Sequence, residues 1–412
     1  MFNVSKEFAP PFKLIAPFFI SGVIFYIFSA ISLFFIDFDY SYMQLSIAGW
    51  VHLFLLGFVM MIIFGAMAQL VPVVLETGHF SVDFYYVIFP LLALGILVMI
   101  FGFWFNPMLL SFGGILVLAA MIIFAIEVFL TIKKSNLNSL SVKSIKISNI
   151  FLLIGILTGF LLALSLSGFL GVDTTSILKA HVYAVVGGYI LITIIGITLI
   201  LLPMFGLAHG FDEKPVKIAF KVMSYSVFIV IVGSFLDFKV LNQIGYIGAF
   251  GSILFYLYQI FLIYKKRVRK EADIWYKSML FAYIFLISSW ILGFIYLLST
   301  DYRPLLYGAV WFLFMGFFTF LINGHLYKIV PFLVWFHRFS SLVGKEKVPM
   351  LHEMYPKKEA KYQFWFTLFG VVISGFALVG NLVDLFKAGV ALIFVGSLFL
   401  GFSLKWMLDF KK

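Results

Sequence analysis

Long apolar runs separated by short polar segments fill this chain. Twelve runs are legible, over residues 12–36, 44–73, 82–105, 107–132, 147–170, 177–205, 217–237, 241–264, 278–299, 305–331, 363–383 and 388–405. Most reach the ~20 apolar residues that a helix needs to cross a bilayer. Barrel strands are about ten residues long and alternate in polarity, and these runs do neither. In hydrocarbon every backbone N–H and C=O must be paired internally, which leaves helices for runs of this kind. The pattern predicts an all-α polytopic membrane protein, with residues 1–412 as a single membrane domain. The first run follows a charged start (Lys6, Glu7, Lys13). It is too long for a signal-peptide core and lacks a small-residue cleavage site, so it is read as retained.

One spacing recurs three times within these runs. Gly57, Gly65 and Pro72 stand eight and seven residues apart, as do Gly188, Gly196 and Pro203, and Gly316, Gly324 and Pro331. A histidine follows each proline, at His79, His209 and His337, and an aromatic follows the histidine, at Phe80, Phe211 and Phe339. The prolines are 131 and 128 residues apart, about a third of the chain. A second landmark opens the fourth run of each third: Phe112-Gly113-Gly114-Ile115, Phe250-Gly251-Ser252-Ile253 and Val395-Gly396-Ser397-Leu398. Lysine pairs close the same runs at Lys133-Lys134, Lys265-Lys266 and Lys411-Lys412. A fixed period decides architecture before any local reading does. The expectation is three four-helix repeats, over 1–140, 141–272 and 273–412, related by a pseudo-threefold axis normal to the membrane.

Composition agrees with the class. The chain is 63% hydrophobic and 11% charged, with a mean hydropathy of +1.12. Soluble domains have about 45–50% apolar and about 25% charged residues. With the N-terminus placed inside, 25 of the 29 Lys and Arg fall in inside segments and four fall outside, at Lys179, Lys239, Arg303 and Lys387. That asymmetry follows the positive-inside rule and predicts cytoplasmic N- and C-termini. The net charge of +11 is thus a topology signal, and nucleic acid is not an expected partner. There is no cysteine, which excludes disulfides, thiolate metal sites, Cys-ligated iron–sulfur clusters and covalent c-type haem.

Candidate chemistry rests on the few polar groups within the runs, since such groups are costly in a membrane and mark function. His52 lies about eight residues into the second run and His181 about four into the sixth. At 1.5 Å per residue these sit about 12 Å and about 6 Å from the outer ends of their helices. An imidazole there must hydrogen-bond or ligate a metal. His325 lies near the inner end of the tenth run, beside Asn323 and Lys328, and reads as part of an interfacial polar cluster. His79, His209 and His337 lie just past the inner ends of runs two, six and ten. They are either a converging metal site or helix-end residues favoured by the macrodipole. Gln69 and Lys328 share one repeat position, and Glu127 is placed to snorkel at the inner end of run four.

The segment from His52-Leu53-Phe54-Leu55-Leu56-Gly57-Phe58 to Gln69-Leu70-Val71-Pro72 resembles the helix-two pattern of divergent members of the haem–copper oxidase subunit I superfamily. Ala180-His181-Val182-Tyr183, with Leu202-Pro203-Met204-Phe205 beyond, resembles a helix-six segment of that family. Three arcs of four helices are also its architecture. The resemblance implies b-type haem with His52 as an axial ligand, and His181 as a ligand of haem or of a second, unspecified metal. It implies redox or gas-ligand chemistry with oxygen or nitric oxide, an electron donor or other membrane subunits as partners, and a bacterial inner membrane. Residues 217–237 hold no histidine, and Trp311 stands where a histidine pair would be. A complete proton-pumping oxygen reductase is therefore not expected. The other functional classes open to such a chain are a cofactor-free transporter or channel and a structural subunit of a membrane complex.

Overall fold

The structure is a computed structural model, and it describes residues 10–36, 44–299 and 302–411. Lys6, Glu7 and Lys412, which the sequence reading used, lie outside these residues. Twelve helices are long and apolar enough to cross a membrane. They are α1 (Phe12–Phe35), α2 (Leu45–Leu75), α3 (Phe84–Trp104), α4 (Leu109–Lys133), α5 (Leu140–Leu166) and α6 (Thr174–Gly206). The rest are α7 (Lys214–Phe235), α8 (Lys239–Lys265), α9 (Ile274–Ser299), α10 (Arg303–Arg338), α11 (Lys357–Val379) and α12 (Val383–Asp409). The fold is all-α and polytopic, as the hydrophobic pattern predicts. Large apolar side chains such as Phe101, Phe228 and Phe261 are exposed along these helices. That suits a lipid solvent, in which apolar surface carries no penalty.

Three helices begin or end away from their predicted positions, each for a local reason. α5 starts seven residues early because Ser139 caps it, accepting the Val142 N–H, and its Lys- and Ser-bearing first turns remain helical. α6 starts at Thr174 because Asp173 accepts the N–H groups of Thr175 and Ser176, a strong N-cap. Bonds from Ser176 and Thr175 hold that exposed carboxyl below its usual 3.8. α11 stops early because Asn381 turns left-handed (φ 55°) and the Leu382 N–H folds back to the Ala377 carbonyl.

The chain forms two compact units. One holds Ala68–Lys270 with Met1–Pro10, and the other holds Pro11–Met67 with Glu271–Lys412. These divisions do not follow the expected repeat boundaries. The third expected repeat shares its unit with residues 11–67, in which α1 packs on α12.

The same local contacts nonetheless recur within the units. A Cβ added at Gly57, Gly188 or Gly316 would lie within 3.0 Å of the Cβ of Phe25, Phe151 or Phe285, respectively. Eight residues on, Gly65, Gly196 and Gly324 meet Phe18, Ser144 and Ser278 in the same way, each seven residues before its partner phenylalanine. The first glycine of each set lies in a π-helical stretch: Leu53–Met60, Tyr183–Leu191 and Phe312–Phe318. π-Turns are rare and cluster at functional sites. Small residues at these points let the backbones approach, as small-residue pairs do in membranes generally.

The second sequence landmark is corrected. The glycines that seat the fourth helix of each set on the third are Gly113, Gly245 and Gly389, not Gly113, Gly251 and Gly396. Gly113 meets Gly95 O and Met99 N, Gly245 meets Ser226 O and Val230 N, and Gly389 meets Gly370 O and Ser374 N. Gly251 faces open space. Six residues is about 240° around a helix, so the Phe-Gly match at 250–251 selects the wrong face.

Candidate functional site

His52 is the eighth residue of α2, as expected, and stands where the helix passes into its π-helical stretch. Its Nδ1–H donates to the Ala48 carbonyl at 2.7 Å, and the side chain is half-buried. A carbonyl only accepts, so this bond puts the proton on Nδ1 and the lone pair of the neutral ring on Nε2. The next eight residues, Leu53–Met60, are all apolar or glycine and all buried. Trp50 and Phe54 lie on another face, stacked on Trp311 and Phe314.

His181 is also the eighth residue of its helix, because α6 starts earlier than predicted. It therefore lies about 11 Å from the helix start rather than about 6 Å. Its Nδ1–H donates to the Gly155 carbonyl of α5 at 2.8 Å. The ring lies over Gly159, where an added Cβ would sit 2.7 Å from Cε1. Gly155 and Gly159 form a groove that the imidazole fills, so the ring braces α5 against α6. Gly159→Ala is expected to displace the ring and cost about 2 kcal/mol of unfolding free energy. Chemical denaturation in detergent micelles, compared with Gly251→Ala as a neutral control, measures this.

The third intramembrane group is a buried cluster that the sequence reading missed. Glu127 does not snorkel: it is fully buried, and its Oε1 meets Nδ1 of His79 at 2.8 Å. Nε2 of His79 donates to the Ala68 carbonyl at 2.6 Å. Ala68 lies four residues before Pro72, which has no N–H, so the helix leaves that carbonyl without its usual donor. His79 supplies one from the loop. Thr131 Oγ1 lies 2.7 Å from Glu127 Oε1 and accepts the Phe80 N–H, and the Tyr85 hydroxyl reaches Oε2 at 3.4 Å. Lys134 Nζ donates to the Gly78 and His79 carbonyls, closing the loop over the pair. With Nε2–H committed to Ala68, one further proton lies between Nδ1 and the carboxyl, and the pair is neutral overall.

This explains one post-proline histidine and separates it from the others. His79 has both ring nitrogens engaged and is buried, whereas His209 and His337 are exposed. His337 is not past the end of its helix. α10 continues through Pro331 to Arg338, and the ring packs on Phe12 and Phe336. Among the described residues, no group of three or more His, Asp or Glu is placed to hold a metal ion. His79→Ala is expected to cost about 2–3 kcal/mol and His209→Ala less than about 0.5 kcal/mol. A converging metal site would make the two losses comparable, and thermal unfolding of both variants decides.

The expected cluster of His325, Asn323 and Lys328 is rearranged. The His325 Nδ1–H donates to Leu321 O, and its ring meets Trp275 edge-on at 6.2 Å. Lys328 pairs with Asp273 at 2.7 Å and lies 6.0 Å from the Trp275 ring centre. Trp275 thus joins His325 to Lys328, while Asn323, about 200° round the helix from His325, faces elsewhere. Gln69 is buried, with Oε1 lacking a protein hydrogen-bond partner. Comparison with models of known protein families and with curated proteins finds no match to this chain.

Proposed function

We propose that this chain is a haem-binding protein of the bacterial inner membrane, with cytoplasmic termini, and that His52 is an axial ligand. On this reading it serves redox or gas-ligand chemistry and is distantly related to the haem–copper oxidase subunit I superfamily. The observation that carries the reading is the orientation of His52. A ligating histidine ordinarily donates its other ring N–H to a carbonyl or carboxylate, which fixes tautomer and direction. His52 does so through Ala48 and lies in an otherwise apolar helix. The residues fit a b-type haem: His52 would hold the iron through Nε2, and the buried stretch Leu53–Met60 would exclude water beneath it. Bound haem would supply a one-electron redox centre and a place for a diatomic ligand. The contacts shared by the three glycine sets support descent from a triplicated four-helix unit.

His181 is assigned to packing in this reading, because its ring fills the Gly155–Gly159 groove. The test is a reduced-minus-oxidised spectrum of the purified protein and of two variants. His52→Ala is expected to abolish or shift the Soret and α/β bands, and His181→Ala to keep the wild-type band positions while lowering stability. Folded, haem-replete protein with no Soret band would favour a transporter or structural subunit. Loss of the bands in His181→Ala alone would move the ligand to α6.

A further inference from the structure

Two antiparallel helices of the second unit carry polar residues at four-residue spacing. On α10 these are Thr319, Asn323 and Tyr327, and on α11 they are Glu359, Gln363 and Thr367. All but Glu359 are at most 2% exposed. Each set covers about 12 Å of membrane depth. The helices run in opposite directions, so the sets pair as rungs. At one end Tyr26 of α1 faces both Thr319 and Thr367. At the other, Tyr327 faces Ser403 of α12, with Tyr355 and Glu359 nearby.

The hydrogen bonds between these residues are incomplete. Gln363 donates to Thr367 at 3.1 Å, and Thr319 donates to its own helix at Phe314. No protein partner meets the Tyr26 hydroxyl, the Gln363 carbonyl oxygen, or either amide atom of Asn323. The hydroxyls of Tyr327 and Ser403 are likewise unmatched. Buried polar groups are almost always satisfied, and where protein does not do it, water making two to four bonds does. The same offsets from the landmark glycines hold Met60, Phe64 and Ala68 in α2, and Leu191, Ile195 and Leu199 in α6. Those positions can therefore be wholly apolar in this fold, and the polar set is particular to α10.

We propose that α10, α11 and the adjoining faces of α1 and α12 enclose a file of water molecules, leading from the Lys-rich rim at Glu359 into the membrane interior and ending at Tyr26. Such a file gives water and the protons it carries a route to mid-membrane. It is bounded by neutral groups, and its one carboxylate lies at the mouth, which suits water better than a desolvated cation. It does not depend on haem, and loss of the haem reading would leave it standing.

Radiolytic hydroxyl labelling with mass spectrometry of the full-length protein tests it, because radicals formed from bound water oxidise the side chains beside it. Tyr26 and Tyr327 are expected to label several times faster than the equally buried Phe317 and Phe318. Asn323→Leu should cut the file at its middle rung, so that Tyr26 loses its labelling while Tyr327 keeps it. If that variant does not fold, Gln363→Leu makes the same cut. Labelling of both tyrosines at the phenylalanine rate overturns the proposal, as does labelling of Tyr26 that survives the cut. Suppression of Tyr26 labelling by sodium or potassium chloride would replace water with a bound cation and also overturn it.

Discussion

Glu127→Leu is expected to lower the unfolding free energy by about 3 kcal/mol or more, among the largest losses for any single side chain here. The leucine fills much of the space but accepts nothing. His79 Nδ1, the Tyr85 hydroxyl and the second Thr131 contact lose their partner at a site without water access. Glu127→Gln separates hydrogen bonding from charge. The glutamine amide can donate to Nδ1 of a neutral His79 that still donates through Nε2 to Ala68, so its cost should be about 1 kcal/mol. Pro72→Ala completes the argument. It returns an N–H to the Ala68 carbonyl, so His79→Ala should cost less in that background. The coupling expected from a double-mutant cycle is about 1 kcal/mol. Additive losses would show that His79 does not replace the donor that Pro72 lacks.

Gly188→Leu is expected to destabilise the chain by about 3 kcal/mol or more, while Gly251→Leu leaves it within about 0.5 kcal/mol. Both glycines belong to landmarks that look alike in the sequence. Gly188 presses on the Cβ of Phe151, part of a side chain that cannot swing away, whereas Gly251 has nothing within 4 Å. Gly57→Leu and Gly316→Leu should behave like Gly188→Leu, since Phe25 and Phe285 stand in the same place. Thermal unfolding followed by intrinsic fluorescence in one detergent ranks the four. A tolerant Gly188 would mean that the π-helical stretch can shift and that the recurring contact does not fix the helix pair.

Helix number and class were legible because crossing a bilayer requires length and apolarity, both of which are local. The Gly-Gly-Pro spacing was legible too, because each glycine marks one close approach in each set. The fourth-helix landmark misled because a tripeptide match does not carry helical phase: Gly245 and Gly389 face the partner helix, and Gly251 does not. The His79–Glu127 pair joins residues 48 apart. Its only local signal was the carbonyl that Pro72 leaves without a donor, which asks for a donor in the following loop. His337 was placed beyond its helix because Pro331 reads as a stop, whereas α10 runs on to Arg338. The polar file was visible as two runs of four-residue spacing, at 319, 323 and 327 and at 359, 363 and 367. It carried meaning only once α10 and α11 were known to run antiparallel around Tyr26.

The central claim is that this protein holds haem through His52. Its most direct measurement is the haem content of the full-length protein, purified from haem-replete membranes and assayed as the pyridine haemochrome against protein concentration. The account predicts b-type haem near one per chain, falling to background in a His52→Ala variant that remains folded by circular dichroism. Folded, monodisperse wild-type protein with no haemochrome, or a His52→Ala variant that retains the full amount, would contradict it.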